Sequence, residues 1–589
     1  MKKNVLFIVV DSVTNDVLFN KSNSKDIAPF LNSLREKSIS GDKMYSEAPY
    51  TEAALMSLLS SVDTMDSGGY MERMKNVRCV LEDFQENKYK TFFCNYYPSI
   101  YPSNMIRGYN ERKYIDGFHF SHIWEYRFKY FSELYLENKT TNKENEMLIN
   151  LLKDNLEAWL EYLEKIKNKN IETSMLNDCI DTKNIDKTIN QLKKEYKKFT
   201  TNKEEYLTAL FKEKEEHTLF KINEYKMSDK IRNDETRKQI MNNYKDTFKK
   251  IEKINFKRNI LNNKFPYKKL FNTLIKRDIK TAKGLLAGYK NSLFDKDLYD
   301  RIAPNFDLFK DQRSFYTVSN ELINWIDKNK DTPWMSYVHI DDAHYTESFF
   351  TYDTEDIELV NEEFKRINNY LDKVPKDYKG SIAYDLSLLY CDNIIKGIYE
   401  YLEKNKLLDN TYIVITADHG FSYYFSPVRE KYVISNYKEN YNVPFIIYGK
   451  DIKPKLIEGF CSTKDVPTTL LSLVGIKKHK QYKGNNLLTS NGEEYSLLEY
   501  MGGGCPDIKR RPINLGVKTD NYSVTVDAYI NKTFEDIIIK EVYNLNKDPY
   551  EHINLSNKKN IKNNISRELD ILNKRFSELK KQYKGENND

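Results

Sequence analysis

Asp11 closes the apolar run NVLFIVV, Asp418 and His419 close TYIVITA, and the segment HIDDAHY, with Asp341, Asp342 and His344, follows the run WMSYV. Thr51 follows a proline and a tyrosine and opens TEAALMSLLSS, which is apolar at helical spacing. A lone acidic residue after a strand is ordinarily a turn former or a helix cap. Asp, His and Gly in direct succession are less ordinary, because where a chain turns off a strand two adjacent side chains can converge on one cation. Two carboxylates, a hydroxyl and an imidazole form a ligand set for a divalent metal such as Mn²⁺, Mg²⁺ or Zn²⁺. That metal would lower the pKa of the Thr51 hydroxyl and neutralise charge on an anionic ester. Thr51 has two readings at this point: N-cap of its helix, or nucleophile presented at the helix's positive end, where anions bind. Phosphate and sulfate esters are the substrate class that suits such a site.

The elements that must position these groups are legible as an α/β alternation. Strands are expected at 4–10, 89–95, 334–340 and 411–417, with helices around 28–37, from 51, at 319–328 and at 381–404. Ligands in open α/β sheets bind beyond the carboxyl ends of strands, where Asp11, Asp418 and His419 stand. His339 falls within its strand and reads as a core residue. Between Gly117 and Gly284 there is no glycine, and between Pro102 and Pro266 no proline. Lys and Glu dominate there, and Leu148, Leu152, Leu156, Trp159 and Leu163 repeat at three- and four-residue spacing, so residues 123–289 read as an all-helical insertion. A C-terminal part has strand candidates at 513–517, 522–526 and 541–543, and 565–583 reads as a surface-packing or protruding helix.

At 589 residues the chain has room for about three or four domains, or for one α/β domain with insertions. Hydrophobic residues are 40% and charged residues 31%, and the mean hydropathy is −0.71, with no apolar stretch long enough to cross a bilayer. A net charge of +6 set against 93 basic and 87 acidic side chains is no nucleic-acid footprint. The run after MKKN is too short for a signal-peptide core and ends in Asp11, which implies a cytoplasmic protein. Cys79, Cys94, Cys179, Cys391, Cys461 and Cys505 are scattered without CxxC spacing, so neither a disulfide framework nor a zinc knuckle is expected.

Several segments, in order, resemble the sulfatase-like branch of the alkaline phosphatase superfamily. NVLFIVVDSV is similar to its opening strand with a metal-binding Asp. APFLNSLREKS resembles the segment usually read TPNLDxLA. SLLYCDNIIKGIYEYLEKNKLLDNTYIVITADHG is similar to its helix and the strand carrying an Asp-His pair. NVPFIIYG, DVPTTLLSLVGI, YKGNNLL and EVYNLNKDPYEHINLS continue the pattern. The resemblance implies an alkaline-phosphatase-like α/β fold: a mostly parallel sheet sandwiched by helices, with the helical insertion and a small C-terminal α+β subdomain. It divides the chain into a catalytic domain (1–122 and 290–490), the insertion (123–289), a C-terminal subdomain (491–564) and a terminal helix and tail (565–589).

Carried onto this chain, the resemblance implies Asp11, Thr51, Asp418 and His419 as ligands of one divalent metal, Mn²⁺ first, with Mg²⁺, Zn²⁺ or Ca²⁺ as alternatives. Thr51 falls at the nucleophile, and His344, with Asp342, at the contact to the substrate anion, although the family's DPHxPY proline is replaced here by Thr346. The chain departs from true sulfatases where TEAAL replaces CxPxR or SxPxR. A threonine cannot yield the formylglycine aldehyde, because its β-carbon bears a methyl group. A Thr nucleophile resembles instead the lipoteichoic acid synthase and phosphoethanolamine transferase branch, which passes a substituted phosphoryl group, such as phosphoglycerol, through phospho-threonine. The expected function is a metal-dependent phosphotransferase or phosphodiesterase acting on an anionic phosphodiester or glycan precursor, with a protein partner conceivable for the insertion. The alternatives are a sulfuric ester hydrolase working without formylglycine, and a degenerate binding protein.

Overall fold

The computed structural model describes residues 2–20, 24–70, 77–95, 107–114, 128, 130–169, 184–219, 242–262, 265–275, 278–293, 315–340, 342–344, 357–421, 437–501, 511–531 and 537–585. All seven residues of β1 (Asn4–Val10) are buried, as an uninterrupted apolar run demands of a central strand covered on both faces. The main sheet is completed by β2 (Ile39–Gly41), β4 (Lys90–Asn95), β5 (Glu111–Tyr114), β6 (Trp334–Ile340), β7 (Thr411–Thr416), β8 (Phe445–Tyr448) and β9 (Lys455–Ile457), in the spatial order β5-β4-β6-β1-β7-β8-β2-β9. Every neighbouring pair is parallel except the two made by β8. The fold is the expected mixed α/β architecture, a mostly parallel sheet flanked by helices.

One register detail places the site. Val9 pairs with His339 of β6 on one side and with Thr416 of β7 on the other. Side chains alternate with period two along a strand, so Asp11 and Asp418, each two residues further, continue the row that His339 begins.

The helices that cover this edge are tied to one another through buried polar groups. The long helix Ile382–Lys404 starts at Ser381, whose hydroxyl accepts from Tyr384 N at 3.4 Å. Further along, both oxygens of Asp392 accept from the helix Pro29–Arg35, from Phe30 N at 3.0 Å and Leu31 N at 2.7 Å. These are first-turn amides with no partner inside their own helix, so a carboxylate there both caps the helix and complements its dipole.

Beyond the main sheet, β3 (Met44–Tyr45) and β10 (Cys461–Ser462) form a short parallel pair. The antiparallel meander β11 (Ser496–Tyr500), β12 (Ile513–Lys518), β13 (Tyr522–Ala528) and β14 (Ile537–Asn544) carries the terminal helix Ser566–Gly585 against β12 and β13. That helix does not protrude, for Leu572, Arg575, Phe576, Leu579 and Tyr583 are all buried. In the middle of the chain, Leu148, Leu152, Leu156, Trp159 and Leu163 of the helix Asn142–Lys169 form one buried face and share a separate apolar cluster with Leu192, Phe199 and Leu210. Phe248 and Ile251 of the helix Lys245–Asn262 belong instead to the main core. No helix among the described residues is long and apolar enough to cross a membrane. Cys79, Cys94, Cys391 and Cys461 are buried and form no disulfide among the described residues, while Cys179 and Cys505 lie outside the described residues.

The terminal helix is pinned through Arg575, 3% exposed, whose guanidinium contacts Glu499 of β11, bonds Asp66 at 3.0 Å and lies 3.6 Å from Asp63. Asp63 is also paired with Lys464 at 2.6 Å and Lys483 at 2.7 Å, and Lys464 reaches Glu47 at 2.9 Å. Glu47 precedes the helix Thr51–Ser60 and Asp63 and Asp66 follow it, so this buried network brackets the helix from both ends. Removing one member leaves the others charged and uncompensated in the interior. Arg575→Met is expected to cost about 3–5 kcal/mol in urea unfolding, and a loss below about 1 kcal/mol would show that the network does not act as a unit.

Candidate active and metal site

Asp11 stands one residue past β1 and still donates its amide to Ile340 O at 2.8 Å. Ser12 then takes φ 63°, a left-handed turn that lifts the chain off the sheet. Three bonds hold this turn. Ser12 Oγ donates to Asp11 Oδ1 at 2.7 Å, Ser12 N donates to Asp418 Oδ1 at 3.4 Å, and Tyr384 OH donates to Ser12 O at 2.7 Å. Asp418 Oδ1 also accepts from His419 N at 2.8 Å. Both carboxylates are buried, at 2% and 0% exposure.

Thr51 is the first residue of its helix, the capping position being Tyr50, which makes no side-chain cap bond. The capping reading of Thr51 is therefore corrected, since its hydroxyl is not used on the helix. It donates to Asp11 Oδ2 at 3.2 Å and lies 3.4 Å from His419 Nε2. His419 Nδ1 lies 2.7 Å from the carbonyl of Gly420. A carbonyl only accepts, so Nδ1 carries the proton and the Nε2 lone pair faces inward, 3.4 Å from Asp11 Oδ1 and 3.7 Å from Asp418 Oδ2. Gly420 has no substitute here, because a Cβ at that position would stand 1.9 Å from Glu439 O.

His339, read from the sequence as core, is the residue that sequence reasoning missed. Its Nδ1 bonds Tyr337 OH at 3.0 Å, and its Nε2 reaches to 3.7 Å from Asp418 Oδ2. One ligand atom from each of Asp11, His339 and Asp418 lies within 4.8 Å of the others. The available signal was positional, since His339 is the penultimate residue of a strand flanking β1, on the same side as the row leading to Asp11. His344 lies at the rim, its ring centroid 6.3 Å from that of His419 and 6.0 Å from that of Phe421. Asp342 is fully buried in the same turn, and Asp341 and Tyr345 lie outside the described residues.

Charge is distributed as these contacts require. Burial pushes the Asp11 carboxyl up, but the imidazoles of His344, His419 and His339 and the Ser12 hydroxyl outweigh it, so its pKa is lowered. His419 is pushed down by burial and held up by more, through Asp418, Asp11 and the Gly420 carbonyl, and ends raised. His339 and His344 end lowered, because burial outweighs the attraction of Asp11 and Asp418.

This donor set fits a divalent metal. Asp418 Oδ2 is buried without a hydrogen-bond donor, and among the described residues no lysine or arginine pairs with Asp11 or Asp418. Two buried carboxylates so placed call for a cation, and oxygen and imidazole ligands suit Mn²⁺, Mg²⁺ or Zn²⁺. His339, with Nδ1 on Tyr337, has the outer hydrogen bond typical of a metal-ligating imidazole.

A family model described as Sulfatase matches residues 3–255 and 259–476. The chain belongs to the sulfatase family. Segments of this sulfatase-family protein, 171 and 206 residues long, are 26% and 27% identical to the N-acetylglucosamine-6-sulfatases of Bos taurus and Capra hircus. They cover 27% and 29% of this chain and 28% and 35% of those proteins, so the match spans about a third of the length of these curated relatives. Among solved structures, the phosphonate monoester hydrolase SpPMH from Silicibacter pomeroyi aligns with a TM-score of 0.51 at 12% identity, over 98% of this chain and 96% of that one. The Bacteroides fragilis protein yidJ aligns at 0.50 and 14%, over 99% and 97%. At these identities the likeness is one of fold.

Asp418→Asn keeps the acceptor for His419 N and Ser12 N but removes a charge. Wild-type protein stripped with chelator is expected to gain about 2.7 kcal/mol when Mn²⁺ is restored at a hundredfold excess over Kd. Asp418→Asn should lose that gain, and Tyr337→Phe should weaken binding roughly tenfold. Melts with and without Mn²⁺ measure both, and an undiminished shift in Asp418→Asn would refute the site.

Proposed function

We propose that this sulfatase-family protein is a metal-dependent enzyme acting on phosphate esters, and that it transfers a substituted phosphoryl group through Thr51. The observation that carries this reading is the Thr51 hydroxyl itself, unused by its helix, 3.2 Å from Asp11 Oδ2 and 3.4 Å from His419 Nε2. Asp11, Asp418 and His419, joined by His339, would hold the divalent ion, Mn²⁺ being the first choice. When bound, that ion would supply Lewis-acid charge for the Thr51 oxygen and for the ester oxygen.

The chain's own groups do the rest. The hydrogen bond to Asp11 aims the Thr51 proton away from the substrate, leaving a lone pair on Oγ1 to meet phosphorus. The Thr51 proton passes to Asp11 as the Oγ1–P bond forms and the bond from phosphorus to the leaving oxygen breaks. That oxygen departs as an alcohol with a proton from solvent, and a second alcohol or water later takes the phosphoryl group and returns a proton to Thr51. The N-terminal end of the helix Thr51–Ser60 offers positive partial charge to the substrate anion. His344, at the rim, fits the role of substrate contact, with Asp342 behind it. Phosphoglycerol is one such substituted group, a phosphodiester or glycan precursor the substrate class, and residues 1–122 with 290–490 the proposed catalytic domain.

A second reading, sulfate ester hydrolysis, is favoured by the partial identity to N-acetylglucosamine-6-sulfatases. Thr51 provides no formylglycine for it. Intact-mass analysis with Mn²⁺ and phosphodiester donors should reveal an adduct on Thr51 that Thr51→Ala lacks, and turnover should fall in that variant by roughly three orders of magnitude. Turnover that survives Thr51→Ala removes the nucleophile, and faster turnover of aryl sulfates than of phosphodiesters selects the second reading.

A further inference from the structure

The helices Tyr267–Ile275 and Ile279–Leu293 form a hairpin whose chemistry the candidate active site does not use. Tyr267, Phe271, Leu274 and Ile275 recur at spacings of four, three and one, which is one face of a helix. A surface helix ordinarily turns such a face inward, yet Tyr267–Ile275 buries no residue. Phe271 is 65% exposed, Ile275 64% and Tyr267 73%, and at the start of the second helix Ile279 is 63% exposed. Lys268, Lys269, Lys280, Lys283 and Lys290 are exposed on the same two helices.

The charge is as one-sided as the apolar face. Residues 257–293 contain ten Lys and Arg and a single acidic residue, Asp278, a net charge of +9, whereas the full chain carries +6. The rest of the protein is therefore slightly acidic, and its positive excess is concentrated here. Asp278 is itself engaged as a helix cap, accepting from Thr281 N at 3.0 Å and Thr281 Oγ1 at 2.6 Å.

The hairpin is held to the protein body. Phe265 packs on Tyr267 and Tyr289, Ala282 is buried, and Asn259 Nδ2 bonds Leu293 O at 3.2 Å. The preceding helix anchors this assembly through Phe248 and Ile251 in the main core. The exposed face is thus presented on a fixed support.

We propose that this hairpin docks the protein onto an anionic phospholipid surface, with Phe271, Leu274, Ile275 and Ile279 entering the acyl boundary and the lysines meeting the headgroup phosphates. A lipid interface satisfies both features at once, since it takes apolar side chains out of water and neutralises flanking cations. A nucleic acid would answer the lysines but leave four large apolar side chains in water. A two-fold pairing with a second copy would bury the apolar face while setting lysines against lysines.

Flotation of the full-length protein with vesicles tests this. Vesicles of phosphatidylcholine with about one-third phosphatidylglycerol should carry the protein upward, and pure phosphatidylcholine should not. The variant Phe271→Ser/Ile275→Ser/Ile279→Ser should lower the bound fraction by about tenfold or more with an unchanged melting temperature, because only exposed side chains change. Lys268→Glu/Lys269→Glu/Lys280→Glu should do the same, and added salt should weaken wild-type binding. Failure to float with the anionic vesicles overturns the proposal, as does binding that either triple variant leaves intact. A wild-type dimer in sedimentation that Phe271→Ser dissociates would assign the face to a second copy instead.

Discussion

Two carboxylates out of water, side by side, are the constraint around which this protein is organised. Asp11 and Asp418 emerge from neighbouring parallel strands and are both buried. Neither has a lysine or arginine partner among the described residues. Burying one unpaired carboxylate is costly, and burying two adjacent ones is tolerable only where positive charge can be supplied. The protein supplies imidazoles from three directions and backbone donors from the Ser12 turn and from His419. That arrangement leaves one oxygen of Asp418 without a donor, which is how a site built for a cation differs from an internally complete network.

The remaining architecture serves to bring a hydroxyl to those carboxylates. Thr51 lies far from Asp11 and Asp418 in sequence, and its helix is not part of the sheet. Its position depends on the charged cluster of Glu47, Asp63, Asp66, Lys464, Lys483, Glu499 and Arg575. The C-terminal meander and terminal helix thus reach the site indirectly, by fixing both ends of the Thr51 helix. The long helix Ile382–Lys404 does the equivalent for the Ser12 turn through Tyr384, and for the helix Pro29–Arg35 through Asp392. Buried polar contacts of this kind are directional, so they select one arrangement where apolar packing would tolerate several.

The protein's charge is partitioned in the same spirit. A net charge near zero for its size conceals a strongly cationic hairpin on an otherwise slightly acidic body. The cluster around Arg575 keeps its ions paired and buried, while the hairpin leaves its lysines and its apolar face exposed.

Much was legible in the amino-acid order because it rests on local rules. Apolar runs ending at Val10, Ile340 and Ala417 predict buried strands, and the three- and four-residue repeat from Leu148 to Leu163 predicts a buried helical face; both follow from local side-chain pattern. Asp11, Thr51, Asp418 and His419 stood out as candidates at strand ends and one helix start, and the family resemblance is what grouped them into one proposed site. What no local rule contains is which strands become neighbours. Only the order β6-β1-β7 turns His339 from a strand residue into a member of the site, because its Nε2 finds Asp418 across two strand positions that are distant in sequence. The role of the Thr51 hydroxyl was also undecided by the sequence, since a helix cap and a nucleophile share the same residue type and position. Tertiary structure fixed where that hydroxyl stands, past the cap position Tyr50 and 3.2 Å from Asp11 Oδ2, because the fold brings together residues forty positions apart.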